Sequence, residues 1–138
     1  MASDVAVNGK CLQEYQLLKL KKAHRYIVFN LNKDNTEIVV EKVSSAPGYA
    51  DFVADLPALE CRWAVYDFEF EKDGSGKRNK LVFVLWSPDN ARVKQKMVFA
   101  SAGDALRRSL EGIHEDVQGT DYDEVSYEAV LDKVARRL

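Results

Sequence analysis

Residues 81–110 read LVFVLWSPDNARVKQKMVFASAGDALRRSL, and two elements within them decide the fold. The opening run, Leu81-Val82-Phe83-Val84-Leu85-Trp86, is apolar without a break. A strand with one wet face alternates, whereas an unbroken run belongs to a strand covered on both faces. Helices are therefore expected on both sides of the sheet that holds it. Ser87-Pro88-Asp89 then breaks the chain, with Asp89 as an N-cap candidate. Residues 90–110 follow as one long helix of about 30 Å.

On a helical wheel this segment has two working faces. Ala91, Val98, Phe99, Ala102, Leu106 and Leu110 share one sector. Val93, Met97, Ala100, Asp104, Arg107 and Arg108 fall opposite, flanked by Lys94 and Lys96. An ordinary surface helix has one apolar stripe and a polar back. Here the back also has an apolar centre edged by cations, which is what a helix docking into a partner's groove requires. The plainer alternative is a solvated basic face with a few exposed apolar residues. Gln95 falls inside the core-facing sector, and Ser101 with Gly103 suggests a kink near the middle.

Outward from this stretch the chain punctuates itself clearly. Residues 1–7 are expected to form a loose arm. Residues 8–21 place Cys11, Leu12, Tyr15 and Leu18 at helical spacing, with Lys19, Lys21 and Lys22 closing the helix favourably. RYIVFNL (25–31) and EIVVEKV (37–43), joined by Asn32-Lys33-Asp34-Asn35, form a hairpin. Residues 49–56 form a short helix that turns Phe52, Val53 and Leu56 inward and is closed by Pro57. Residues 61–71 and 78–86 form a second hairpin around the loop at 72–76. Residues 112–117 add a short strand, and residues 124–137 a last helix with Val125, Ala129, Val130 and Val134 inward. The order is α-β-β-α-β-β-α-β-α. The fold class is α/β with α+β-type order: a mixed sheet of about five to six strands sandwiched by helices.

Size and composition bound the function. The 138 residues fit a single domain over 1–138, and the net charge of −2 argues against nucleic-acid binding through bulk charge. Cys11 and Cys61 lie far apart, outside any Cys-x-x-Cys pair, as expected of reduced structural cysteines in a cytoplasmic protein. No run is apolar enough for a signal peptide or a membrane span. A nucleophile elbow, a glycine-rich phosphate loop and a metal-spaced cluster are all absent, so neither catalysis nor a cofactor or metal is expected.

Six motifs, in order, carry a resemblance that spans nearly the whole chain. They are Tyr66-Asp67-Phe68-Glu69, Lys77-Arg78-Asn79-Lys80, Leu85-Trp86-Ser87-Pro88-Asp89, Lys94-Gln95-Lys96-Met97, Asp104-Ala105-Leu106-Arg107-Arg108 and Val117-Gln118-Gly119-Thr120-Asp121. With them the chain resembles the actin-depolymerising factor (ADF)/cofilin family. The resemblance implies the ADF-homology fold and a protein of the actin cytoskeleton that acts by binding. Its partners would be monomeric (G-) and filamentous (F-) actin, with the ADP-bound form preferred. Its activities would be filament severing and depolymerisation, by a protein that is itself monomeric. A non-severing, coactosin-like filament binder is the alternative within the fold. The monomer and filament contact would use Ser3, Val93, Lys94, Lys96, Met97, Asp104, Arg107 and Arg108. A filament-specific surface would use Lys77, Arg78, Lys80, Asp132, Lys133 and Arg136.

The resemblance also implies regulation. Ser3 corresponds to a serine whose phosphorylation blocks actin binding in many members, although here Asp4 already places a carboxylate beside it. Phosphoinositides would draw on Lys94, Lys96, Arg107 and Arg108, competing with actin. His114 lies in a region linked to pH sensing in some members. Gly103 stands where the family often has a lysine, so one rim cation is expected to be missing and the helix weakened by roughly 1 kcal/mol.

Overall fold

The computed structural model describes residues 5–72, 74 and 76–136. Strands run over Ala6–Val7 (β1), Tyr26–Leu31 (β2), Glu37–Ser44 (β3), Arg62–Lys72 (β4), Gly76–Trp86 (β5) and Glu115–Gly119 (β6). Helices run over Gly9–Lys21 (α1), Tyr49–Ala54 (α2), Val93–Ser109 (α3) and Tyr127–Arg136 (α4), with a 3-10 turn at Tyr122–Val125.

The apolar run at 81–86 does lie inside the sheet. β5 pairs antiparallel with β4 on one side and parallel with β6 on the other. The strand order is β1-β3-β2-β4-β5-β6, mixed because β1 joins β3 and β6 joins β5 in parallel. A parallel neighbour needs a crossover, and α3 supplies the one between β5 and β6.

Each face of the sheet has its own core. Leu81 and Phe83 join Trp63, Val65, Ile27 and Phe29 under α1 and α3, which contribute Tyr15, Leu18, Phe99 and Leu106. Val82, Val84 and Trp86 join Tyr26, Val28, Tyr66 and Phe68 under α2 and α4, which contribute Phe52, Val130 and Val134. The expected two-sided sandwich is thus present, with α1 and α3 on one face and α2 and α4 on the other.

Several boundaries differ from the sequence reading, each for a local reason. The long helix begins at Val93, capped by Arg92 with no side-chain bond, and not beyond Asp89. The Asp89 N–H is spent on the Thr120 carbonyl (3.0 Å), and Ala91 N–H closes a turn onto Pro88 (2.9 Å). The inner end of the expected arm is tied down: Val5 is buried, and Ala6–Val7 pairs with Glu37 and Ile38. The loop at 72–76 is tighter than expected, because β4 and β5 stay in register out to Lys72 opposite Gly76. The last helix starts at Tyr127, where Ser126 Oγ accepts from Ala129 N–H (3.2 Å). The residues before it form the separate 3-10 turn, capped by Asp121.

Asn8 shows how one polar side chain fixes an element. Its Oδ1 accepts from Lys10 N–H (2.9 Å), and its Nδ2 donates to Glu37 (3.1 Å). It therefore caps α1 and ties that cap to β3. Asn8→Ala is expected to cost about 1 kcal/mol, read as a lower urea midpoint at unchanged m-value.

Candidate functional site

The site is built on the face of α3 that the core does not use. Its inner face is committed: Phe99, Ala102, Gly103 and Leu106 are buried. Phe99 stacks on Trp63 with ring centroids 4.2 Å apart. Gln95, out of place on the wheel, has a structural task there. Its Oε1 accepts the Cys61 N–H at 3.0 Å, pairing a backbone donor at the entry to β4.

The outer face carries the apolar centre that the wheel placed there. Val93 is 72% and Met97 66% exposed, one turn apart. An isolated exposed apolar residue is ordinary; two large ones stacked on a helix with a fully used inner face form a ridge. The charges around the ridge differ in availability. Lys94 is exposed, and Lys96 is half-buried with its Nζ on the Asp89 carbonyl (2.8 Å). Arg108 pairs with Asp104 one turn back, both strongly exposed. Arg107 is half-buried and bidentate to Asp116 on β6 (2.7 and 3.2 Å). The Asp116 carboxylate raises the guanidinium pKa further, and the two-point contact ties α3 to β6.

β1 packs near α3, and Val5 joins the core that Phe99 and Leu106 of that helix also fill. Ser3 itself lies outside the described residues.

The second set of residues is brought together in part. β2 pairs with β4 only up to Tyr66, and β6 pairs with β5 only from Val82. Beyond those points β4 and β5 project as a two-stranded ribbon. Lys80 is paired with Phe68 and Arg78 with Phe70, so both cations share the face that packs against α4. Asp132 and Arg136 form an exposed pair on that helix (2.7 Å). Lys77 alternates to the opposite face, opposite Glu71, with its Nζ 3.9 Å from Glu69. Lys133 lies apart from its neighbours, lining a cleft of about 600 Å³ with Arg107 and Asp116.

Gly103 is not a missing rim cation. It is buried on the core side, where a Cβ would stand 2.5 Å from Trp63 Nε1. Sequence reasoning missed Trp63 and Asp116, each of which controls an α3 residue from another element. Only the size of Trp63 and the charge of Asp116 hinted at this, since their partners lie far away in sequence.

A mixed sheet between two helix pairs, carrying a long helix with an apolar, cation-edged outer face, defines an ADF-homology domain. The model of the cofilin/tropomyosin-type actin-binding protein family matches residues 4–135. A cofilin of Mycosarcoma maydis is 57% identical over 136 residues, covering 99% of this chain and 98% of its own. The cofilin of Saccharomyces cerevisiae is 52% identical over 135 residues, covering 97% and 94%. The crystal structure of Streptomyces griseoflavus cofilin superposes with a TM-score of 0.92 at 57% identity, covering 96% of this chain and 98% of that one. Human coactosin-like protein, at a TM-score of 0.80 but 15% identity, shares the fold alone. The chain belongs to the cofilin/ADF family of actin-binding proteins.

His114 adds a pH-sensitive contact beside the ribbon. Its Nδ1 accepts the Leu81 N–H (2.9 Å), which requires that nitrogen to be unprotonated. Partial burial, then the charges of Lys80 and Lys19, hold its pKa below the ordinary 6.5. Unfolding frees the ring to protonate, so the stability due to this group is full above pH 6.5 and is lost as pH falls through the depressed value. Urea midpoints of His114→Gln are expected to vary less between pH 7 and pH 5 than those of the wild type; identical slopes would refute the assignment.

Proposed function

We propose that the chain binds actin monomers and filaments and drives filament severing and depolymerisation. The observation that carries this reading is the Val93–Met97 ridge on a helix whose inner face is already filled, in a chain of the cofilin/ADF family. The ridge enters an apolar cleft between actin lobes. Ser3, Lys94, Lys96, Asp104, Arg107 and Arg108 surround that contact. The apolar anchors set most of the affinity, while exposed charges such as Lys94 act mainly on association rate and salt dependence. Arg107 acts chiefly by holding α3 to β6, since its charge is paired with Asp116.

A second surface engages the neighbouring subunit of a filament. Arg78 and Lys80 on the ribbon and Asp132 and Arg136 on α4 form its centre, with Lys133 at the margin toward the Arg107–Asp116 cleft and Lys77 at the margin on the other face of the ribbon. Engaging two subunits at once selects a subunit angle different from that of bare filament. Boundaries between twisted and bare segments are then weak, and filaments break there. The ADP-bound form is preferred, as in the family. The protein acts as a monomer at the cytoplasmic actin cytoskeleton, by binding alone and without covalent chemistry.

Two modes of regulation belong to this reading. Phosphate on Ser3 adds negative charge that the acidic rim of actin repels, which blocks binding. Anionic phosphoinositides compete for the cations flanking Met97.

The two surfaces separate experimentally. Met97→Ala is expected to weaken monomer binding by about tenfold to a hundredfold, the span of an interface hot spot. Lys94→Ala/Lys96→Ala should slow association and flatten its salt dependence in stopped-flow measurements. Arg78→Ala/Lys80→Ala should keep monomer affinity within about threefold but lose co-sedimentation with filaments, because charges at a rim act only where a partner is present. Filaments that stay long under microscopy while decorated by the wild type would favour a non-severing, coactosin-like role.

A further inference from the structure

We propose that Trp63 and Gly103 form a matched pair that sets the height of α3 above the sheet, making Gly103 a positioning residue for the actin-docking ridge. This rests on the docking role argued above.

Glycine is a poor residue for the middle of a helix, yet α3 carries one in its third turn. Its φ is ordinary for a helix, so backbone freedom does not explain it. Close approach does. A Cβ at 103 would lie 2.5 Å from Trp63 Nε1 and 3.3 Å from Cδ1 and Cε2 of the same ring. The indole therefore has its edge against the helix backbone where a side chain would begin. One turn earlier, Phe99 stacks on the face of that indole at 4.2 Å. Phe99 and Gly103 together form a slot: the first covers the ring face and the second admits its edge.

The indole cannot easily retreat. Trp63 is fully buried on β4, paired with Phe29 of β2 on one side and Leu85 of β5 on the other. Its Nε1–H is the one buried side-chain polar atom without a hydrogen-bond partner among the described residues. Such a donor is tolerated at a cost; no hydrogen bond anchors the ring edge, and the close packing against Phe99 and the flanking strands alone fixes its position. A side chain at 103 must therefore lift α3 by roughly 1 Å to restore ordinary contact.

That lift would not be shared evenly along the helix. The N-terminal end of α3 is held by Gln95 on the Cys61 N–H and the C-terminal end by Arg107 on Asp116. Raising the middle tilts the outer face between those anchors, and Met97, Asp104 and Arg108 all lie on it. A preformed ridge that fits a cleft loses complementarity when its spacing changes.

The test is a double-mutant cycle on the full chain. Gly103→Ala, Trp63→Leu and the combined variant are compared with the wild type for affinity to monomeric ADP-actin and for thermal midpoint. Binding is measured well below every midpoint. Gly103→Ala is expected to weaken binding about tenfold, and the combined variant to return to within about threefold of Trp63→Leu, a strong positive coupling. Val28→Ala, in the core of the opposite sheet face, serves as the control: it should lower the midpoint and leave affinity unchanged. If Gly103→Ala alone does not fold while the combined variant folds and binds, the pairing is supported. Wild-type affinity in Gly103→Ala overturns the proposal, as does additivity of the two changes or failure of the combined variant to fold. A wild type that does not bind actin overturns the docking role, and the positioning role falls with it; coupled midpoints would then mark a purely structural pair.

Discussion

The molecule depends on burying both faces of β4 and β5. These two strands run antiparallel over eleven residue pairs, from Arg62 opposite Trp86 to Lys72 opposite Gly76. Neither strand is amphipathic along its inner length, so one layer of helices could not satisfy them. One face takes Trp63, Val65, Leu81 and Phe83; the other takes Ala64, Tyr66, Val82, Val84 and Trp86. Full burial of a large apolar side chain contributes about 1.5–3 kcal/mol, and both cores draw on that gain. Once α3 is spent on covering one face, only its outer side is left to act on anything else.

Polar groups around α3 divide in the same way between holding the helix and facing outward. Gln95 and Arg107 are turned to internal partners at either end. Lys96 closes onto the turn at Asp89. Lys94 and the Asp104–Arg108 pair face solvent, and a solvent-exposed pair one helical turn apart contributes only about 0.3–0.5 kcal/mol. Such a pair opens readily when a partner offers a better counter-charge. A basic face that looks uniform in sequence is therefore two populations, one fixing the helix and one free to meet a ligand.

What could be read in the sequence follows from the range of each interaction. The unbroken run at 81–86 reports burial on both faces, so the sandwich and its central strand were legible there. Helical spacing separates the core side of α3 from Val93 and Met97 without any knowledge of what lies beneath. Contacts between distant segments leave no such periodic signal. The segment at 88–91 closes its own turn and is pinned to Thr120, so the helix begins only after it. β1 is two residues long and exists only because β3 offers it an edge. Gly103 looked like a kink or a lost lysine because its reason, the indole of Trp63, is forty residues away. Lys77 looked equivalent to Arg78 and Lys80 until strand alternation put it on the other face.

The placement of the two candidate surfaces bears on how binding could deform a filament. A protein that grips two subunits imposes an angle on them only if it is stiffer than the contact between those subunits. Here α3 and α4 lie on opposite faces of one sheet, and the ribbon that carries Arg78 and Lys80 is the direct extension of β4 and β5. The strand pair that seats α3 through Trp63 thus also carries Arg78 and Lys80 of the proposed second surface. Among the described residues, β4 and β5 run without interruption from beneath α3 to the ribbon. Close packing makes such an interior resist small shifts, so under the proposed two-surface binding the strain would be borne by the softer partner. Substitutions in the shared strands would loosen this connection without touching either surface, and would separate tight binding from the capacity to change filament geometry.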